Sequence, residues 1–224
     1  MLGRPASSTI DGPAGRIEVV VEDPAGSPPC GLAVIAHPHP LMGGTMDNKV
    51  VHTLVRAFVL AGWRAVRFNF RGVGQSESGW DEGRGETVDM MAVLGHHLAD
   101  EAVKGLPVAL AGFSFGGYVA AMVHARLAQA GANQPDLVVP SQLVLVSPAT
   151  SRFEVPQVPA HTLVVEGEED DVVPLASILD WARPQNLPVT VIPGTGHFFH
   201  GQLGVLREVV LRHLRAVQAR PAAQ

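Results

Sequence analysis

The chain of 224 residues holds a single cysteine, Cys30. One thiol excludes an intrachain disulfide framework and any zinc site built from several cysteines. No run of basic residues occurs, and 16 Lys and Arg stand against 21 Asp and Glu, for a net charge of −5. That balance argues against nucleic acid or an anionic membrane surface as a partner. No apolar run reaches the roughly 18 residues that a transmembrane helix requires. The first twenty residues lack the ~7–15-residue apolar stretch of a secretory signal, so a cytoplasmic protein is expected. Charged residues amount to 17% against 46% apolar, which excludes a chain too polar to collapse.

What is present is 24 glycines, 18 prolines and an alternation of apolar patterns. Short β-rich runs are followed by longer stretches at helical spacing. Strands are expected over 16–21, 31–37, 63–70, 107–113, 142–147, 161–166 and 187–192. Helices are expected over 47–60, 86–103, 115–130, 174–183 and 203–217. Continuous apolar strands alternating with helices predict a mostly parallel sheet covered on both faces. No linker-like stretch interrupts the pattern, so residues 1–224 are expected to form one domain, its core spanning about 16–217. In such sheets ligands gather beyond the carboxyl ends of the strands. The segments to inspect are therefore 37–44, 69–78, 112–117, 166–173 and 194–199.

The sharpest signal is Gly112-Phe113-Ser114-Phe115-Gly116, set between the strand PVALA and the helix YVAAMVHARLA. G-x-S-x-G between strand and helix is the pattern of a nucleophile elbow, which holds serine on a tight turn with φ forced positive. Gly112, Gly116 and Gly117 leave room where a side chain would strike a neighbouring element. A serine hydroxyl is a weak nucleophile until a base takes its proton, and the elbow exposes it to one. The following helix start aims Phe115 N–H at a developing oxyanion.

On this architecture the acid and then the histidine follow the serine along the chain. His124 and His213 fall inside helices, and His161 opens a strand. His197 directly follows the last strand, in the loop PGTGHFF, and is the expected general base, with His200 as its rival. The acid belongs after the strand at 161–166, where Glu166, Glu168, Glu169, Asp170 and Asp171 all qualify. Periodicity does not choose among them, and four of the five are expected to be solvated or to cap the next helix. A second oxyanion donor belongs in the loop HPHPLMGG. Pro38 and Pro40 carry no N–H, which leaves His39 or Leu41.

Other signals are weaker. His37 and His39 have no carboxylate or cysteine cluster beside them, so no metal is expected. Gly72-Val73-Gly74 follows a strand, but Glu77 stands where a dinucleotide loop has its third glycine, so no nucleotide cofactor is expected. His96 and His97 read as a solvated helical face. Phe113, Phe115, Phe198 and Phe199 fit core or pocket wall equally.

Taken together, HPHP with GGTMDNKVV, FNFRGVGQSESG, GFSFGG, and GEEDDVVP followed by GTGHFF resemble the α/β-hydrolase superfamily over about residues 16–217. The resemblance is to a small lidless bacterial group near the dienelactone-hydrolase and prolyl-oligopeptidase branch, described as carboxylesterases. It implies a three-layer α/β/α fold with no lid domain and a carboxylesterase needing no cofactor or metal. The family pattern G-x-x-D-x-x-V-P falls on Gly167, Asp170, Val173 and Pro174, which implies Asp170 as the acid. It also implies His39, with Phe115, as the oxyanion donors. Dienelactone hydrolase itself carries cysteine where this chain has Ser114. Only about a dozen residues, 148–160, separate the strands where relatives insert a lid, so an open site for small or extended esters is expected. A thioesterase or peptidase with the same three residues, or a non-catalytic binder on the same fold, are the alternatives. The sequence assigns no oligomeric state.

Overall fold

The computed structural model describes residues 5–218. Eight strands form one sheet: β1 (Ser8–Gly12), β2 (Gly15–Glu22), β3 (Leu32–Ala36), β4 (Arg64–Phe68), β5 (Val108–Phe113), β6 (Gln142–Val146), β7 (Leu163–Gly167) and β8 (Val189–Ile192). Their order is β1-β2-β4-β3-β5-β6-β7-β8. The pairs β1–β2 and β2–β4 are antiparallel and every other pair is parallel. Five α-helices, α1 (Lys49–Leu60), α2 (Arg84–Leu98), α3 (Phe115–Gly131), α4 (Leu175–Ala182) and α5 (Leu203–Gln218), complete the fold. Among the described residues no helix is long and apolar enough to cross a membrane.

The layering follows from residue alternation. In β3, Leu32, Val34 and Ala36 turn to one face, packing with Met90 and Val93 of α2 and Val119 and Val123 of α3. Ala33 and Ile35 turn to the other, joining Leu54 and Phe58 of α1 and Leu206 and Val210 of α5. Both faces are apolar, so the strand reads as an unbroken run rather than an alternating one. Each fully buried Leu, Val or Ile among them contributes roughly 1.5–3 kcal/mol. Between β6 and β7 lies only an irregular segment, so nothing like a lid covers the sheet edge.

Three features depart from the sequence reading. The sheet begins at Ser8, before the expected first strand, because β1 pairs with β2 as an edge hairpin. Only Ile10 of its five residues is buried, so its sequence carries little hydrophobic signal. Helix α2 stops at Leu98 rather than at 103. There the Asp100 carboxylate accepts the Ala102 N–H at 2.9 Å and pulls the backbone out of the helix. His97, expected on a solvated face, is buried. Burial, helped by the neighbouring His96 and Arg64, holds its imidazole down to about 4.

Candidate active site

Ser114 sits on the single-residue turn between β5 and α3 with φ 56° and ψ −118°. A non-glycine residue held at positive φ costs on the order of 1–3 kcal/mol. Hydrogen bonds hold it there. Ser114 N–H donates to Val146 C=O at 2.9 Å, and Ser114 C=O accepts the N–H groups of Gly117 at 2.9 Å and Ala149 at 3.2 Å. The flanking glycines are required by close backbone approach. A Cβ on Gly112 would strike the Gly116 carbonyl, and one on Gly116 would strike the carbonyls of Ala36 and His37.

The loops after β7 and β8 bring two side chains to this turn. His197 Nε2 lies 3.1 Å from Ser114 Oγ, and His197 Nδ1 lies 2.6 Å from Asp170 Oδ2. A carboxylate only accepts, so Nδ1 carries the imidazole proton and Nε2 is left to accept from Oγ–H. Asp170 Oδ1 accepts the N–H groups of Val172 at 2.9 Å and Val173 at 2.7 Å. Burial works against charge on Asp170. The hydrogen bonds from His197, Glu166 and the Val173 N–H outweigh it and hold the carboxyl below its usual range. All three residues are buried. His200 is exposed and its ring rests near Phe198, while the imidazole bonded to Ser114 is that of His197.

The other acidic candidates go elsewhere. Glu168 accepts the Gly194 N–H at 2.9 Å, tying the loop after β7 to the loop after β8. Glu169 and Asp171 are exposed. Glu166 overturns the expectation that the remaining carboxylates are solvated or capping. It has no exposed surface, because its place in β7 lies inside the sheet between β6 and β8.

The loop after β3 faces the serine from the opposite side. His37 is completely buried, and its Nε2 accepts the Phe70 N–H at 3.0 Å. The other nitrogen, Nδ1, must then carry the proton and donate to Pro38 C=O at 2.6 Å. With both nitrogens engaged, His37 fastens the start of this loop to the end of β4 and has no lone pair for a metal. Burial pushes its imidazole down to about 3, so it stays neutral. Leu41 N–H donates to His39 Nδ1 at 3.2 Å. Of the two candidate donors, Leu41 is therefore engaged within the loop. His39 packs its ring against Trp80 and Phe115, with centroids 4.4 and 5.2 Å away. The loop closes through Met42 and Gly44, whose N–H groups both donate to His39 C=O. A Cβ on Gly44 would collide with the Pro38 and His39 carbonyls.

A cleft of about 280 Å³ joins these parts, lined by His39, Ser114, Phe115, Phe153 and His197 among others. Its lining is mainly apolar, with Arg152 the cation on its wall. Phe113 and Phe199 belong to the core, whereas Phe198 lines the cleft and is half exposed. Met42 and Val172 complete an open, apolar mouth. Sequence reasoning named Glu166 only as one of five candidate acids and did not single out Ser147 or Gly44. The burial of Glu166 in a strand interior and the closeness of Gly44 to the loop carbonyls are tertiary facts.

Residues 31–208 match the profile of a family described as an alpha/beta hydrolase domain. A structure of an α/β serine hydrolase homologue from Coxiella burnetii is 37% identical, with a TM-score of 0.80, covering 96% of this chain and 99% of that one. A lidless α/β serine hydrolase from Xanthomonas campestris is 33% identical with a TM-score of 0.85, covering 100% of this chain and 99% of the other. A protein of Rickettsia prowazekii is 29% identical over 223 residues, 94% of this chain and 89% of that one.

Proposed function

This chain belongs to the α/β-hydrolase family as a small lidless member, and on that premise we propose that it is a serine hydrolase of carboxylic esters. The observation that carries the proposal is the hydrogen-bonded chain Ser114 Oγ, His197 Nε2, His197 Nδ1, Asp170 Oδ2, at 3.1 and 2.6 Å. In the proposed cycle His197 takes the Ser114 proton as Oγ attacks the ester carbonyl. Asp170 holds the imidazole in the Nδ1–H form and stabilises the imidazolium that results. The N–H of Phe115, first in α3, and that of His39 receive the negative charge on the tetrahedral oxygen. His197 then gives its proton to the departing alkoxide, leaving an ester on Ser114. Water activated by the same imidazole attacks that ester and frees the acid. Every step is a proton transfer or acyl transfer, so these residues suffice without a cofactor or metal.

The open cleft supports small or extended acyl groups over long buried chains, since nothing spans the gap between β6 and β7 to enclose a long chain. The test is hydrolysis across p-nitrophenyl esters and acyl-CoA thioesters of graded chain length. Short-chain esters are expected to turn over fastest. A 100-fold preference for the thioesters would make the protein a thioesterase instead. No turnover, with no covalent fluorophosphonate adduct on Ser114, would make it a non-catalytic binder.

A further inference from the structure

Glu166 lies at the penultimate position of β7 and is wholly buried. Its Oε1 accepts the Ser147 hydroxyl and the Gly167 N–H, each at 3.0 Å. Its Oε2 is buried and has no donor facing it among the described residues. The neighbouring Asp170 carboxyl acts on this carboxyl through a side-chain hydrogen bond and through its charge. Two carboxylates only accept, so this contact requires one proton between them. Asp170 is already supplied with three donors, the N–H groups of Val172 and Val173 and the imidazole of His197. Those donors fix Asp170 as the anion. The proton therefore sits on Glu166, at the one oxygen with no other partner.

We propose that Glu166 is a positioning residue that remains a neutral carboxylic acid and donates Oε2–H to Asp170, adding a fourth member to the Ser114, His197, Asp170 chain. This rests on the serine hydrolase reading above. Burial first, and then the neighbouring Asp170, push the Glu166 carboxyl up to about 9. Asp170, on the loop after β7, is the charged group that faces it. Ser147 faces it from the end of β6, and His197 from the loop after β8 acts through Asp170. The donated hydrogen bond would spread the Asp170 charge and fix the rotation of its carboxyl against His197. Loss of the Glu166 proton would put a second buried negative charge against Asp170 and break that alignment.

The experiment is a pH profile of ester hydrolysis for the wild type, Glu166→Gln and Glu166→Leu, with fluorophosphonate labelling of Ser114 measured on each. Glutamine keeps the acceptor for Ser147 and Gly167 and offers Asp170 an N–H, but cannot ionise. It is expected to hold kcat within about threefold and to abolish a wild-type decline in rate near pH 9. Leucine removes the donor. Its kcat is expected to fall roughly 10–100-fold, the worth of a hydrogen bond to a charged group, with KM nearly unchanged. Its acid limb should move to higher pH, because an undamped Asp170 charge favours the imidazolium. The proposal is overturned if glutamine is as damaging as leucine, or if wild type and Glu166→Gln share one alkaline profile. Where leucine prevents folding, the glutamine comparison still decides. Ser114 labelling with a failed Glu166 prediction removes only the fourth member, whereas no labelling of the wild type removes the underlying reading as well.

Discussion

His37 and Glu166 make an instructive pair. Each stands at the carboxyl end of a parallel strand, each is wholly buried, and burial discharges each of them, but in opposite senses. The imidazole is held unprotonated and the carboxyl is held protonated. His37 spends both ring nitrogens on backbone groups, the Phe70 N–H and the Pro38 carbonyl. Glu166 spends one oxygen on the Ser147 hydroxyl and the Gly167 N–H and, in the proposal above, turns the other toward the charged Asp170. A buried polar residue that bonds only to backbone shapes a loop. One that also touches an ion is linked to whatever chemistry that ion serves. The loop after β3 should therefore respond to mutation through geometry and stability, and the loop after β7 through protonation.

The largest effect on the geometric side is expected from Gly44→Ala. The added methyl meets the carbonyls of Pro38 and His39 and must push the proposed oxyanion donor aside. Loss of one such donor costs about 10²–10³ in kcat, with KM little changed. Steady-state kinetics on a short-chain ester would reveal it, and an unchanged kcat would remove His39 N–H from the proposed oxyanion hole. Next comes His37→Ala, which strips partners from the Phe70 N–H and the Pro38 carbonyl. At about 1–3 kcal/mol for each orphaned buried group, unfolding in urea should show a loss of roughly 2–6 kcal/mol. A loss under 1 kcal/mol would mean that the staple is decorative.

The third expectation is smallest per step and separates the two residues by sign. Folded His37 sits near 3, below the ~6.5 of a free histidine, so the unfolded chain takes up its proton first. Its contribution to stability is complete above about pH 6.5 and is lost as pH falls toward 3, with His97 adding in the same direction. Folded Glu166 sits near 9, above its ordinary 4.5. Its contribution is complete below about pH 4.5 and is lost as pH rises toward 9. The stability of Glu166→Gln relative to wild type should therefore climb from pH 5 to pH 9, on the order of 1 kcal/mol per pH unit. Urea midpoints across that range check it, and a pH-independent difference would contradict a buried neutral carboxyl.

Much of the fold was legible because both faces of the central strands are apolar and strands alternate with helices along the chain. The elbow was legible because its requirements are local: a serine, glycines two residues away, a strand before and a helix after. His197 could be found by its place after the last strand. Asp170 could not be separated from Glu166, Glu168, Glu169 and Asp171 by residue type. What singles it out is the turn that gives it the N–H groups of Val172 and Val173. The burial of Glu166 was hidden for the same reason, since a glutamate among acidic neighbours reads as solvated until its strand is placed inside a sheet. Strand β1 was invisible because SSTIDG is polar apart from Ile10, and its pairing is decided by β2. The engagement of the Leu41 N–H by the His39 ring, which favours His39 as the proposed donor, is a detail of loop conformation that residue types do not carry.

The central claim is that Ser114 carries the acyl group between the two halves of the reaction. Rapid acid quench during turnover of a p-nitrophenyl ester, followed by mass analysis of peptides, tests it most directly. The expected result is an adduct of the acyl mass on the peptide containing Ser114, greatly reduced in Asp170→Asn and absent in Ser114→Ala. Turnover that continues undiminished in Ser114→Ala, or an adduct on another residue, would contradict it.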